Sequence, residues 1–245
     1  MGSPTRARRR LAWSGSIRLL LGAAAVAALT LTASAAERPR TVLIVVKPDN
    51  PRVAADKAIA AHLEGRGYRV TLGSQYEPVA RGYDLVILSS NIRSRDLLGA
   101  YRDVPVPVLT WESDLLDDLG MTGKKHDRDF GKAPAEHFVW LVNAPHALAA
   151  GLRAGVNAVY AKDAPMNWGK PGLGAAIIAT VPGEPDHAVI FGYEAGATMD
   201  YESIAPARRT MFLLDNETFG GLTSAGLALF DAAVDWTAGT PRPAE

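Results

Sequence analysis

The sequence contains no cysteine. This excludes disulfides, a thiolate nucleophile, thiolate-ligated metals and lipid attachment through an N-terminal cysteine. Other signatures are missing too. No G-x-S-x-G elbow and no P-loop occur. The turn after the first predicted strand is Lys47-Pro48-Asp49-Asn50-Pro51, so the glycine-rich dinucleotide fingerprint is absent where it would have to stand. None of the five histidines has the H-x-x-x-H spacing of a helical metal site. After Arg10 there is no basic run. We therefore expect no cofactor, no metal and no nucleic-acid partner.

What is present begins with a leader. Arg6, Arg8, Arg9, Arg10 and Arg18 form a basic segment without acids. An apolar run from Leu19 to Leu31 follows, and Ala33-Ser34-Ala35 supplies an A-x-A site. Residues 1–35 read as a cleaved secretory signal. The apolar run is short for a membrane span, which needs about 20 residues. A Sec route is expected, with Arg8-Arg9-Arg10-Leu11 leaving a twin-arginine route open. Removing the leader takes five of the 26 basic residues and none of the 26 acids, leaving a charge of about −5. The expected mature protein is one exported domain, residues 36–245, without stable membrane insertion. About 210 residues can bury a core without covalent staples.

The rhythm of that domain is α/β. Thr41 to Val46 (TVLIVV) is a continuous β-branched run, as in a strand covered on both faces. Val53 to Glu64 carries Ala55, Ile59 and Leu63 on one helical face. Strands are expected at Tyr68–Leu72, Tyr83–Leu88 and Val106–Thr110, with short helices at Arg95–Tyr101 and Ser113–Met121. Thr122–Glu136 reads as a polar loop. Further strands are expected at Phe138–Val142, Ala158–Ala161, Ala175–Val181, Ala188–Tyr193 and Arg209–Leu214. The turn Pro182–Asp186 favours antiparallel pairing of its neighbours. Met166–Gly172 reads as a loop. A last helix starts at Thr223 or Ser224 and stops at Gly239 and Pro241. The expected fold is a flavodoxin-like parallel sheet flanked by helices, with a mixed or antiparallel extension in the C-terminal half.

In open α/β sheets ligands bind beyond the carboxyl ends of the strands. Those ends deliver Lys47, Asp49 and Asn50; Ser89, Ser90 and Asn91; Trp111, Glu112 and Ser113; Tyr193 and Glu194; and Asp215, Asn216 and Glu217. They share one rim if the later strands run parallel to the first four. Asn91, Trp111, Glu112, Ser113 and Glu194 are the candidate ligand-binding residues. Glu112 stands before a helix that Ser113 can cap, at the positive end of its dipole. It suits an acceptor for hydroxyls, or a general base if a partner such as His146 or His137 lies near. The competing readings are a solvated loop carboxylate for Glu112 and a core side chain for Trp111.

Several phrases taken together resemble ThuA-like proteins, within the wider class I glutamine amidotransferase-like group. They are VLIVV and its polar turn, GYDLVILSS, VPVLTWES, NAPHALAAGL (Asn143 to Leu152) and the closing LFDAAVDWTAG. The resemblance spans about Thr41 to Gly239 and implies a flavodoxin-like fold. True amidotransferases of that group place a cysteine on a sharp elbow after a central strand, served by His and Glu. Here the elbow region is Thr110-Trp111-Glu112-Ser113, so the resemblance implies a member that does not hydrolyse glutamine. The sugar association of ThuA-like proteins implies a saccharide or other small polar ligand. An enzyme acting on a sugar or ester, and a non-catalytic interaction module, remain open.

Overall fold

The computed structural model describes residues 38–200 and 203–239. The expected signal segment lies outside them. Eleven strands form one sheet. In chain order they are β1 (Thr41–Val46), β2 (Arg69–Ser74), β3 (Leu85–Leu88), β4 (Val108–Thr110), β5 (Phe130–Glu136), β6 (Phe138–Leu141), β7 (Gly155–Ala158), β8 (Ala164–Gly169), β9 (Ala176–Val181), β10 (Glu184–Tyr193) and β11 (Arg209–Phe212). The helices are α1 (Val53–Gly65), α2 (Ser94–Leu97) and α3 (Ser224–Thr237).

The order across the sheet is β2-β1-β3-β4-β11-β10-β9-β6-β7. The first five strands of that path are mutually parallel. From β10 onward every pairing is antiparallel. β5 and β8 leave the path as a two-stranded antiparallel ribbon that touches β10 at one pair, Gly169 with Ala188. This is the flavodoxin-like α/β sheet with an antiparallel extension.

Period-two alternation splits β1 between two cores. Val42, Ile44 and Val46 join Ile59 and Leu63 of α1 and Leu229, Phe230 and Val234 of α3 on one face. Leu43 and Val45 join Leu97, Tyr101, Leu115, Leu116 and Met121 on the other. β3 divides likewise, Leu85 and Ile87 against Val86 and Leu88. Both faces are covered, which is why these strands read as unbroken apolar runs. Thr223 caps α3 with its hydroxyl accepting from Gly226 N at 3.1 Å.

Several expectations are corrected. Ser113–Met121 is not a helix of two turns but a single 3₁₀ turn, Ser113–Leu115, followed by turns to Gly120. Leu115, Leu116, Leu119 and Met121 are all fully buried, so packing under the sheet wins over a one-sided helix. Ser113 is not its cap. Glu112 takes that place, its side chain accepting from Asp114 N at 3.3 Å. The polar stretch Thr122–Glu136 ends in β5, and Met166–Gly172 contributes four of the six residues of β8. Their ribbon hides from pattern reading because Gly131 lies flat against Trp168; a Cβ there would meet the indole at 3.0 Å. The expected strand Ala158–Ala161 lies earlier, as β7. The β9–β10 hairpin is antiparallel as expected. Its turn is tighter than the proline and acids suggest, with Glu184 already paired to Val181 and Gly183 at φ +82°.

Candidate functional site

β1, β3, β4 and β11 all point their carboxyl ends at one rim, and the β5–β8 ribbon adds Lys132 and Asn167 to it. The result is a cleft of about 450 Å³ lined by fifteen of the described residues, of which Ile92 is the only aliphatic one. Five chain segments supply the key groups: Ser90 and Asn91 after β3, Glu112 and Ser113 after β4, Lys132 from β5, Asn167 from β8, and Asp215 and Asn216 after β11.

Asn167 pins the floor. Its Nδ2 donates to Trp111 O at 2.6 Å and to Leu214 O at 2.7 Å, while Ser113 Oγ donates to its Oδ1 at 3.2 Å. One buried carboxamide thus satisfies backbone carbonyls past the ends of two neighbouring strands, where the ladder has run out. Asp215 is fixed differently. Its backbone N–H donates to Thr218 Oγ1 at 2.9 Å, and Lys132 Nζ donates to both carboxylate oxygens at 2.9 Å.

Glu112 sits among these groups almost out of water, 9% exposed. Burial pushes its carboxyl up to about 8, and the negative charges of Asp114 and Asp215 add to the effect. The Asp114 N–H and Lys132 pull the other way and do not overcome it. Near neutral pH the group is therefore mostly a protonated acid, able to donate one hydrogen bond and accept others. The sequence suggested an ionised acceptor beside a helix dipole. The structure offers one 3₁₀ turn there, and desolvation dominates.

The wall beside it has its own buried network. Asp56 of α1, 2% exposed, accepts from Ser89 Oγ at 2.5 Å and from Asn91 Nδ2. Asn91 Oδ1 accepts from Lys47 N at 3.0 Å. Burial raises the Asp56 carboxyl to about 6 against these two donors.

No protein-family model matches the sequence, and no curated protein does. Solved structures do match. One described as a ThuA-like protein, from Bacteroides uniformis, has a TM-score of 0.55 over 84% of this chain and 94% of its own, at 12% identity. A second, from Parabacteroides merdae, gives 0.54 over 84% and 92%, at 14% identity. This chain has a ThuA-like fold. The fold is shared more widely: a protein described as a GMP synthase subunit, from Thermoplasma acidophilum, gives 0.51 over 83% and 96%, at 13% identity. At such identities the likeness carries the architecture and no chemistry.

Within this ThuA-like fold the candidate residues separate. Asn91, Glu112 and Ser113 line the cleft. Asn91 does so with both ends of its carboxamide engaged by Lys47 and Asp56, so it shapes the wall. Trp111 does not reach the cleft with its ring. It is 1% exposed and packs in the core, its ring 6.2 Å from that of Phe230. Glu194 lies at the opposite end of the sheet. β10 runs antiparallel to β11, so the end of β10 stands beside the start of β11, where Arg208 holds the Glu194 carboxylate at 2.7 and 3.2 Å.

His146 is at that far end too. It packs against Trp236 with ring centroids 5.5 Å apart, and its Nδ1 accepts from Leu148 N at 3.1 Å. Burial lowers its pKa, and it cannot partner Glu112. His137 stacks on Phe138 at 4.4 Å and lies 3.7 Å from Asp163, outside the cleft lining. The histidine that does line the cleft is His126, whose Nε2 is 3.7 Å from Asp114.

Sequence reasoning missed Arg52, Arg93, Lys132 and Asn167. The last two were hidden because both ribbon strands read as loops. The two arginines stand immediately before α1 and α2, on the rim that strand-end reasoning had already marked. Among the described residues no group of three or more His, Asp or Glu is placed to hold a metal ion. Among them, too, no helix is long and apolar enough to cross a membrane.

Proposed function

We propose that the chain is an exported module that binds a small polyhydroxylated ligand, such as a saccharide, in the strand-end cleft. The observation that carries this reading is the lining itself. Most small-molecule pockets are predominantly apolar with a few polar anchors. This one is the reverse, with amides, hydroxyls, carboxyls and cations converging and a single aliphatic side chain. Such a surface matches a ligand whose periphery is hydroxyl groups. Among the described residues no Phe, Tyr or Trp lines the cleft, so recognition rests on hydrogen bonds and not on stacking against a sugar face. The absence of cysteine leaves no thiol for glutamine hydrolysis by the route the fold hosts elsewhere.

Export rests on the leader, and mass spectrometry of the secreted or periplasmic protein tests it. A mature N-terminus at Ala36 supports it, and retention of residues 1–35 in the cytoplasm overturns it. Binding is tested by thermal denaturation of the protein against mono- and oligosaccharides. A ligand at 100 times its Kd raises stability by about 2.7 kcal/mol, a shift of a few degrees. The reading fails if no sugar shifts the transition, or if Glu112→Gln and Asn216→Ala leave a shift intact.

A second reading is favoured by one observation, the protonated Glu112 in a cleft that also holds Asp215 and His126. A carboxyl kept neutral near pH 7 is what a general acid requires. Turnover of a bound sugar that disappears in Glu112→Gln, while binding persists, would select this enzyme reading over plain binding.

A further inference from the structure

The cleft is not evenly charged. Lys132 is committed to Asp215, both of whose carboxylate oxygens it contacts. Asp114 is the remaining carboxylate in the lining besides Glu112. Against these stand two further cations, Arg52 and Arg93, brought to the same cleft from the starts of α1 and α2. Their acidic neighbours are held loosely and lie outside the lining. Arg52 is 3.5 Å from Glu217, and Arg93 is 4.0 Å from Asp96. Both arginine side chains are about half exposed, at 53% and 50%. Exposed pairs of that length are weak and exchange readily for a better-placed anion.

We infer that the ligand is an anionic sugar, its carboxylate or phosphate gripped by Arg52 and Arg93 while its hydroxyls face Glu112, Ser113 and Asn216. A guanidinium offers a planar fork of donors that matches both anions. Their backbones are already fixed. Arg93 N donates to Gln75 Oε1 at 2.8 Å, and Arg52 N donates to Asn50 Oδ1 at 3.1 Å. The cations are therefore mounted on ordered backbone with their heads free to turn. The protonated state of Glu112 belongs to the same design, because an ionised carboxylate in the floor would repel an anionic ligand. The groups facing Glu112 are Asp114 on its own turn, Asp215 after β11 and Lys132 on β5.

This inference rests on the polyhydroxyl reading, and the test separates the two. The full chain is titrated calorimetrically at pH 7 with glucose, galactose, glucuronate, galacturonate, glucose 6-phosphate, and acetate and inorganic phosphate as anions without a sugar. We expect one anionic sugar to bind about tenfold more tightly than its neutral parent, the worth of a charge-assisted contact. Arg52→Gln with Arg93→Gln should abolish that preference, weakening the anionic sugar about tenfold more than its neutral parent. Preference for a uronate or for the phosphate identifies which anion is read. The anionic affinity should fall as pH rises past about 8, where Glu112 ionises, and the neutral sugar's should fall less. Equal affinity for neutral and anionic sugars, or a preference that survives the double substitution, overturns the inference and spares the polyhydroxyl reading. Acetate or phosphate binding as tightly as the anionic sugar overturns the polyhydroxyl reading and keeps the arginine anion site. Binding of no probe overturns both.

Discussion

Lys132 Nζ lies 2.9 Å from each carboxylate oxygen of Asp215, joining the antiparallel ribbon to the end of the central strand β11. The carboxylate is 8% exposed and the lysine 45%. The pair is therefore lopsided: removing the lysine strands a nearly buried charge, whereas an exposed pair would lose little. Lys132→Met should destabilise the fold by about 1–2 kcal/mol in urea denaturation, and Lys132→Arg by much less. In the background Asp215→Asn the lysine substitution should cost almost nothing. An unchanged cost there would mean that packing of the lysine stem, and not its charge, is what the ribbon uses.

Glu112 gives a pH signature with a definite sign. Its carboxyl is raised from 4.5 to about 8 in the folded state, so the folded protein holds that proton more tightly than the unfolded chain. The associated stability is fully present below pH 4.5 and is lost as pH rises toward and through 8. Glu112→Gln removes the titration. The variant should be more stable than the parent at pH 9, by on the order of a few kcal/mol, with the gap closing toward pH 5. Melting curves of both proteins across that range measure it, and parallel curves would show that Glu112 does not titrate as described.

Asn167 is the polar residue on which the rim geometry depends most. Replacing it with Leu keeps the γ-branched shape in a larger side chain and leaves two carbonyls, Trp111 O and Leu214 O, without their donor. A loss of about 2–4 kcal/mol is expected, since unpaired buried acceptors carry their full desolvation penalty. Asn167→Asp should be no milder, because its carboxylate would face the same two carbonyls. Chemical denaturation distinguishes this from a mere surface position, where neither change would exceed about 0.5 kcal/mol.

Asp56 should report through its neighbour. Its carboxyl is raised from 3.8 to about 6, and its Oδ2 accepts from Asn91 Nδ2. The side-chain amide resonances of Asn91 should therefore titrate with a midpoint near 6, and Asp56→Asn should abolish the transition. The same raised value makes this group's contribution to stability largest below pH 3.8 and gone above about 6. An Asn91 amide that does not move between pH 5 and 7 would refute the coupling.

The parallel half was legible in the sequence because each strand there is buried on both faces. TVLIVV, DLVILSS and VPVLT announce themselves as apolar runs followed by polar tips. The rim at Ser90, Asn91, Glu112 and Ser113 follows from that alone, and Asp215 joins it because β11 runs parallel to β4. Two physical facts lay beyond it. The direction of β10 is set by its pairing with β9 and β11, and no local pattern in AVIFGYE says which end of the sheet Glu194 will reach. The ribbon strands are coded by contact and not by period: Gly131 is chosen for the Trp168 ring, and Lys132 and Asn167 for partners far along the chain. Trp111 shows the same limit. Its place after a strand allowed either the cleft or the core, and packing against Phe230 decided.

The ribbon also divides the molecule by what can change. β5 and β8 join the ladder of the main path only at β10, and Asn167 and Lys132 fasten them to the ends of β4 and β11 at the cleft. The parallel layer works as a chassis that fixes where hydroxyl, amide and acid groups stand. The ribbon is riveted to that chassis at Asn167, and its exposed positions are where variation is cheap. Changing those positions would redraw the cleft's outline and charge without rethreading the β1–β3–β4–β11 ladder, and a scaffold built this way can trade ligands faster than it trades folds.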